Sequence, residues 1–208
     1  VQTCALPISM SFLPLTHVFE RAWSYYCLHK GTIVCLNLRP AEIASTIKEV
    51  RPTLMCSVPR FWEKVYAGVN EKITSESGFK RKLMLDAIRV GKIHNVDYLR
   101  VGKRPPLGIR LKYMFYEKTV YALLKKTIGL ENGKFFPVAG AAVPDEICEF
   151  CHAVGINMKV GYGLTESCAT VSCFPDDSFE LGSVGKIMPD LQVKIGENNE
   201  ILLRGKTI

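Results

Sequence analysis

The sequence predicts an α/β fold, a layered mixed sheet with flanking helices and a largely helical insert. Continuous β-branched runs alternate with segments of 3.6-residue period, which is the signature of strands layered against helices. The 208 residues are 48% hydrophobic and 10% aromatic, enough for one domain with a core of its own. A strand-like run also leads straight into a glycine-flanked turn at residues 157–163.

In chain order, residues 11–15 read as a short strand broken by Pro14, and 18–28 as an aromatic-rich helix. Residues 32–36 (TIVCL) are continuous and β-branched, which suits a buried strand. Pro40 at the start of the next segment opens a helix running to 50, because a proline in the first turn loses no helical hydrogen bond. Residues 54–58 form another buried strand, ended by Pro59. From 61 to 128 the pattern turns helical, with segments at 61–73, 80–93 and 111–128 and a break at 102–106. Strand character returns at 134–139, a helix follows at 144–154, then a strand at 157–160. Residues 191–195 and 201–204 form a hairpin around Glu197-Asn198-Asn199. The strands at 32–36, 54–58, 134–139 and 157–160 are expected to share one sheet.

Charge is uneven. The chain carries 27 Lys and Arg against 20 Asp and Glu, yet residues 60–126 alone hold 16 basic and 6 acidic residues. Such a segment could meet phosphate groups, nucleic acid or an anionic membrane surface, or be a solvated helical face whose acidic counterpart lies elsewhere in a longer protein. No nucleic-acid partner is expected. No apolar run reaches the ~18 residues of a spanning helix, and no signal peptide is read at the start. Eight cysteines sit mostly within apolar runs, where a free thiol behaves as a small hydrophobe. A cytoplasmic location fits, with peripheral contact at the inner membrane face through the basic insert.

Three strings invite chemistry. Cys148-Glu149-Phe150-Cys151-His152 has the spacing of c-type haem attachment, but positions 147, 150, 151 and 154 form one apolar stripe at helical spacing. Cys148, Cys151, Cys168 and Cys173 approximate a zinc spacing, but the second pair departs from the usual knuckle and a buried strand intervenes. Neither haem nor zinc is expected. Gly161-Tyr162-Gly163-Leu164-Thr165-Glu166 lacks the third glycine of a dinucleotide fingerprint, and Glu166 would repel a pyrophosphate there. It does offer close backbone approach, an aromatic face, a hydroxyl and a carboxylate in succession, which are the parts for adenine, a phosphate oxygen and a divalent metal.

That string is one of five in a fixed order: SFLPLTHVFER at 11–21, FPVAGAAVP at 136–144, GYGLTES at 161–167, GSVGK at 182–186 and NEILLRG at 199–205. Together they resemble consecutive core motifs of the adenylate-forming (AMP-binding) superfamily. The first, with a helical insert after PRFWEK at 59–64, resembles the long-chain fatty acid CoA ligases (long-chain acyl-CoA synthetases). The resemblance implies a partial N-terminal adenylation domain at about 9–208, within an enzyme that uses ATP, Mg2+ and CoA to convert a long-chain fatty acid into acyl-AMP and then acyl-CoA. It implies Glu166 as metal ligand, Thr165 on the α-phosphate and Tyr162 stacked on adenine between Gly161 and Gly163. Gly140, Ala141 and Ala142 would lie along the nucleotide, and His17 near the acyl carboxylate.

The resemblance also implies a glycine-rich phosphate loop before Ser11, and a ribose-binding aspartate and a lysine-bearing C-terminal domain beyond Ile208. The chain therefore reads as a piece of the enzyme, inactive alone. Residues 1–8 fit none of the motifs and read as a foreign or frame-shifted leader. A non-catalytic adenine-nucleotide or lipid-binding module, or a ligase for another carboxylic acid, is the alternative. The sequence leaves oligomeric state open.

Overall fold

A computed structural model describes residues 6–176 and 178–208. Residues 1–5, most of the segment read as a leader, lie outside the described residues. Among the described residues eight strands and seven α-helices follow one another: β1 (Ile8–Ser11), α1 (Val18–His29), β2 (Ile33–Leu36), α2 (Ile43–Val50), α3 (Pro59–Ser75), α4 (Gly78–Gly91), α5 (Leu107–Tyr116), α6 (Ala122–Ile128), β3 (Phe136–Val138), α7 (Asp145–Ala153), β4 (Met158–Tyr162), β5 (Ser172–Cys173), β6 (Lys186–Ile187), β7 (Leu191–Ile195) and β8 (Ile201–Gly205). Helix α4 runs on through a π-helical turn at Lys92–Tyr98, and a second π turn at Glu117–Tyr121 joins α5 to α6.

The four expected strands do not form one sheet: β2 lies with β1 in one, β3 and β4 lie in another, and residues 54–57 connect the two only through isolated bridges. β1 pairs in parallel with β2, and β3 with β4. Between these pairs, residues 54–57 are held by single parallel bridges, Ser9 to Leu54, Leu54 to Phe135 and Ser57 to Val138. The segment is buried as expected, Met55, Cys56 and Ser57 being fully inaccessible, but it makes bridges rather than a full ladder. β5 and β6 extend the β4 edge in antiparallel fashion, and β7 and β8 form the expected hairpin.

The first strand differs from the sequence reading. It occupies Ile8–Ser11, not 11–15, and residues 14–17 form a turn in which the His17 amide donates to the Pro14 carbonyl at 2.9 Å. Pro14 has no N–H to give a ladder, whereas the amides of Thr53 and Leu54 both reach the Ile8 carbonyl, at 2.9 and 3.1 Å. Pro7 also accepts from the Ile33 amide at 2.9 Å, so Pro7 and Ile8 are built into the sheet. Ser9 and Ser11 are buried despite their polarity, and Ser9 accepts a hydrogen bond from the Trp23 indole at 3.0 Å.

The helical insert covers the sheet through its aromatics. Trp62 on α3 is fully buried, donates from its indole to the Ser57 hydroxyl at 2.8 Å and packs edge-on against Phe136 with centroids 5.7 Å apart. Tyr66 meets Phe150 of α7 at 5.2 Å. Tyr121 is buried and donates to the Ala87 carbonyl at 2.6 Å, joining the second π turn to α4. Buried Tyr and Trp are stable here because each polar tip finds an acceptor. The 148–152 string is one turn of α7, with Cys148 and Cys151 buried among the core side chains. Burial pushes the Cys148 thiol up to about 12 and raises Cys151 well above the ordinary range. No helix among the described residues is long and apolar enough to cross a membrane.

Candidate active site

Three loops at the C-terminal ends of β3 and β4 close around one cleft of about 480 Å³. The loop after β3 supplies Gly140, Ala141 and Ala142. The end of β4 and its turn supply Gly161, Tyr162, Gly163 and Leu164. Gly182, Ser183 and Val184 form the facing wall. Loops beyond the carboxyl ends of parallel strands are where an open α/β sheet leaves room for a ligand.

Local chemistry explains why these residues can line it. Gly140 sits at φ +94°, a left-handed conformation that a Cβ resists. Gly163 is needed for proximity, since a Cβ there would lie 1.3 Å from the Ala169 carbonyl oxygen. The chain folds back on itself at this point, the Val171 amide donating to the Tyr162 carbonyl at 2.8 Å and the Ala169 amide to the Leu164 carbonyl at 3.1 Å. Cys168 and Ala169 make that return in left-handed conformations, φ 48° and 91°, which cost non-glycine residues energy.

Thr165 and Glu166 stand on a single 3-10 turn, Thr165–Ser167, immediately after the cleft-lining segment. Both are exposed. The buried Ser167 hydroxyl locks the turn by accepting from the Leu164 amide at 3.0 Å and donating to the Leu164 carbonyl at 3.1 Å. Among the described residues the Glu166 carboxylate has no ion pair, so it is free to meet a cation. Tyr162 is half-buried and lines the cleft. His17 is elsewhere: it is the exposed residue before α1, makes no side-chain capping bond and is not among the cleft-lining residues.

The sequence reading missed Asp145 and Glu180, which also line the cleft. Asp145 begins α7 and accepts from the Gly182 amide at 2.9 Å, tying two walls together. Glu180 is paired with Arg100 of the insert at 2.7 Å. Ser172 fixes the third loop by donating to the Val184 carbonyl at 2.9 Å. An acidic residue just after Pro144 was the available signal for Asp145, as a first-turn acid on a helix; Glu180 gave none.

Small residues along one wall, an aromatic face and an adjacent hydroxyl and carboxylate can accept a planar base, a phosphate oxygen and a cation. Groups of three or more His, Cys, Asp or Glu side chains that could cage a metal are absent among the described residues. One exposed carboxylate suits Mg2+, which keeps several waters and is usually held by one or two carboxylates together with substrate phosphates.

The chain is similar to known proteins over nearly its whole length. The sequence matches the AMP-binding enzyme family over residues 3–207. It is 32% identical over 202 residues to the protein assigned as fatty-acid–CoA ligase fadD11 in Mycobacterium tuberculosis H37Rv, covering 95% of this chain and 35% of that one. It is 27% identical over 217 residues to long chain acyl-CoA synthetase 4 of Arabidopsis thaliana, covering 97% and 31%. The chain thus spans about a third of the length of these relatives. Its fold is similar to o-succinylbenzoate CoA synthetase (MenE) from Bacillus subtilis in complex with the acyl-adenylate OSB-AMP, with TM-score 0.57, 16% identity and 97% and 33% coverage. The anthranilate CoA ligase AuaEII in complex with anthranoyl-AMP gives TM-score 0.59 at 13% identity, with 97% and 32% coverage. With the family match running nearly end to end, this chain belongs to the AMP-binding enzyme family.

Proposed function

We propose that this chain is the central part of an ATP-dependent acyl-activating enzyme that joins a long-chain fatty acid to CoA through an acyl-AMP intermediate. The observation that carries the reading is the meeting of Gly140–Ala142, Gly161–Leu164 and Gly182–Val184, remote in sequence, around one cleft, with Thr165 and Glu166 on the turn that directly follows its Gly161–Leu164 wall though not among the lining residues. Likeness to fatty-acid CoA ligases supports the choice of acid.

Bringing a carboxylate onto an α-phosphate sets two anions against each other, so the site must neutralise charge as it moves onto pyrophosphate. Tyr162 offers its ring to adenine, and the small residues at 140–142 let backbone amides approach the nucleotide. The Thr165 hydroxyl donates to an α-phosphate oxygen. Glu166 would hold Mg2+. When bound, that ion supplies electrostatic stabilisation of the departing pyrophosphate. CoA then accepts the acyl group as co-substrate.

The test is ATP–pyrophosphate exchange by the full-length protein with a panel of acids. Exchange that depends on palmitate and fails with o-succinylbenzoate or anthranilate is expected. Exchange with an aromatic acid alone would reassign the substrate, and no acid-dependent exchange would overturn the activity.

A further inference from the structure

We propose that Arg100, on the helical insert and outside the cleft, is a positioning residue that holds the Glu180 carboxylate, so that the facing wall turns no free anion toward a bound nucleotide. The proposal rests on the reading of the cleft as a nucleotide site. Residues 178–184, which end in that wall, carry no helix or strand of their own. Such a loop takes its shape from what it is tied to. The ring of Phe179 lies flat on His152 at 3.6 Å, Glu180 pairs with Arg100 at 2.7 Å, and Asp145 accepts from the Gly182 amide at 2.9 Å. His152 and Asp145 stand in the last and first turns of α7, so the loop runs along that helix. Of these three contacts, that of Arg100 comes from the insert.

Arg100 has a fixed base. It follows the π turn at Lys92–Tyr98, and that turn is clamped to α7. Asn95 donates to the His152 and Ala153 carbonyls at 2.8 and 3.3 Å, Lys92 pairs with Glu149, and a Cβ on Gly91 would lie 2.2 Å from the Ala153 carbonyl oxygen. Arg100 donates from Nε to the Val96 carbonyl at 3.1 Å and from Nη1 to Glu180 Oε1 at 2.7 Å, so its guanidinium is held at two points. Its side chain is 20% exposed against 66% for Glu180, which makes the cation the fixed partner. Charge gives the pair its consequence. Asp145 and Glu180 are the acids lining the cleft among the described residues, and a nucleotide brings phosphates of the same sign. Asp145 is engaged by a backbone amide, whereas Glu180 depends on Arg100. An ion pair with one exposed partner contributes little to stability. Its measurable effect lies in the freed carboxylate, which repels phosphates across a cleft whose walls screen charge less than water does.

A double-mutant cycle in the full-length protein tests it, read by calorimetric titration with ATP and by hydrogen exchange without nucleotide. Arg100→Gln should weaken ATP binding about fivefold to tenfold, because it leaves Glu180 unpaired. In a Glu180→Gln background the same substitution should change affinity by less than about twofold. That recovery separates positioning from misfolding, since a folding defect caused by losing Arg100 would persist in the double variant. Exchange across 178–186 should be at least about threefold faster in nucleotide-free Arg100→Gln, while Arg81→Gln, exposed on α4, should change neither readout. Parent-like ATP affinity in Arg100→Gln, a double variant as weak as Arg100→Gln alone, or unchanged exchange at the wall would each overturn the proposal. A parent protein that bound no ATP would instead overturn the reading of the cleft, and with it the role in binding, while the exchange data would still decide whether Arg100 anchors the wall.

Discussion

Replacing Gly163 by alanine should break the turn that builds the cleft. The added Cβ would lie 1.3 Å from the Ala169 carbonyl oxygen and 3.0 Å from the Thr170 Cα, all backbone atoms with no side chain to swing aside. Relief requires the 163 and 169 segments to part by about 2 Å, a normal carbon–oxygen contact being over 3 Å. That movement weakens the bonds from the Val171 amide to Tyr162 and from the Ala169 amide to Leu164. Two backbone hydrogen bonds at about 1 kcal/mol each, with overpacking strain of about 1 to 3 kcal/mol, give about 3 to 5 kcal/mol. For a domain of this size that lowers Tm by roughly 6 to 20 °C. Gly68→Ala is the matched control, because Gly68 lies inside α3 and its Cβ would meet nothing within 4 Å. It should be neutral or stabilise by up to about 1 kcal/mol. Thermal melts and fluorescent-nucleotide titration read both. A Gly163→Ala protein melting within about 2 °C of the parent would refute the close-approach argument.

Two further outcomes follow from burial. His152 is held in its neutral form, its value lowered to about 4 by burial first and by the nearby Lys159 cation second, with its ring flat on Phe179 at 3.6 Å. The unfolded chain takes up a proton below about 6.5 that the folded chain refuses, so this contribution to stability is complete above 6.5. It declines by about 3 kcal/mol as pH falls towards 4. Urea unfolding of His152→Gln across that window should show a shallower slope, and an unchanged slope would exclude His152 as its source. Iodoacetamide at pH 8 should label exposed Cys168 well before Cys148 and Cys151, whose thiols are buried and raised. Peptide mass mapping that found Cys151 labelled first in the native protein would contradict the packing of α7.

The parts of the fold that were legible in the sequence are those whose pattern is local. α7 announces itself by its apolar stripe at 147, 150, 151 and 154, and the terminal hairpin by strand runs around Glu197-Asn198-Asn199. β1 was misplaced because Ser9 and Ser11 break its apolar pattern. Their burial depends on Trp23 and on neighbouring strands that come later in the chain. Glu20 was equally hidden: a fully buried carboxylate on α1 that accepts from the Leu13 amide at 3.2 Å and the Cys56 thiol at 3.2 Å. In the cleft, the glycine strings could be read because glycine marks backbone constraint wherever it falls. Asp145 and Glu180 could not, since their place depends on contacts with Gly182 and Arg100 across 37 and 80 residues of chain.

Acid-dependent ATP–pyrophosphate exchange by Glu166→Gln in the full-length protein, run across a range of Mg2+ concentrations, tests the central claim most directly. Glutamine keeps the shape of an exposed side chain, so the melt should match the parent, while the anionic ligand is lost. Exchange should fall about a thousandfold, or about 4 kcal/mol of transition-state stabilisation. Exchange within about threefold of the parent, a difference under ~1 kcal/mol, would contradict the assignment of Glu166 as the metal ligand of this cleft.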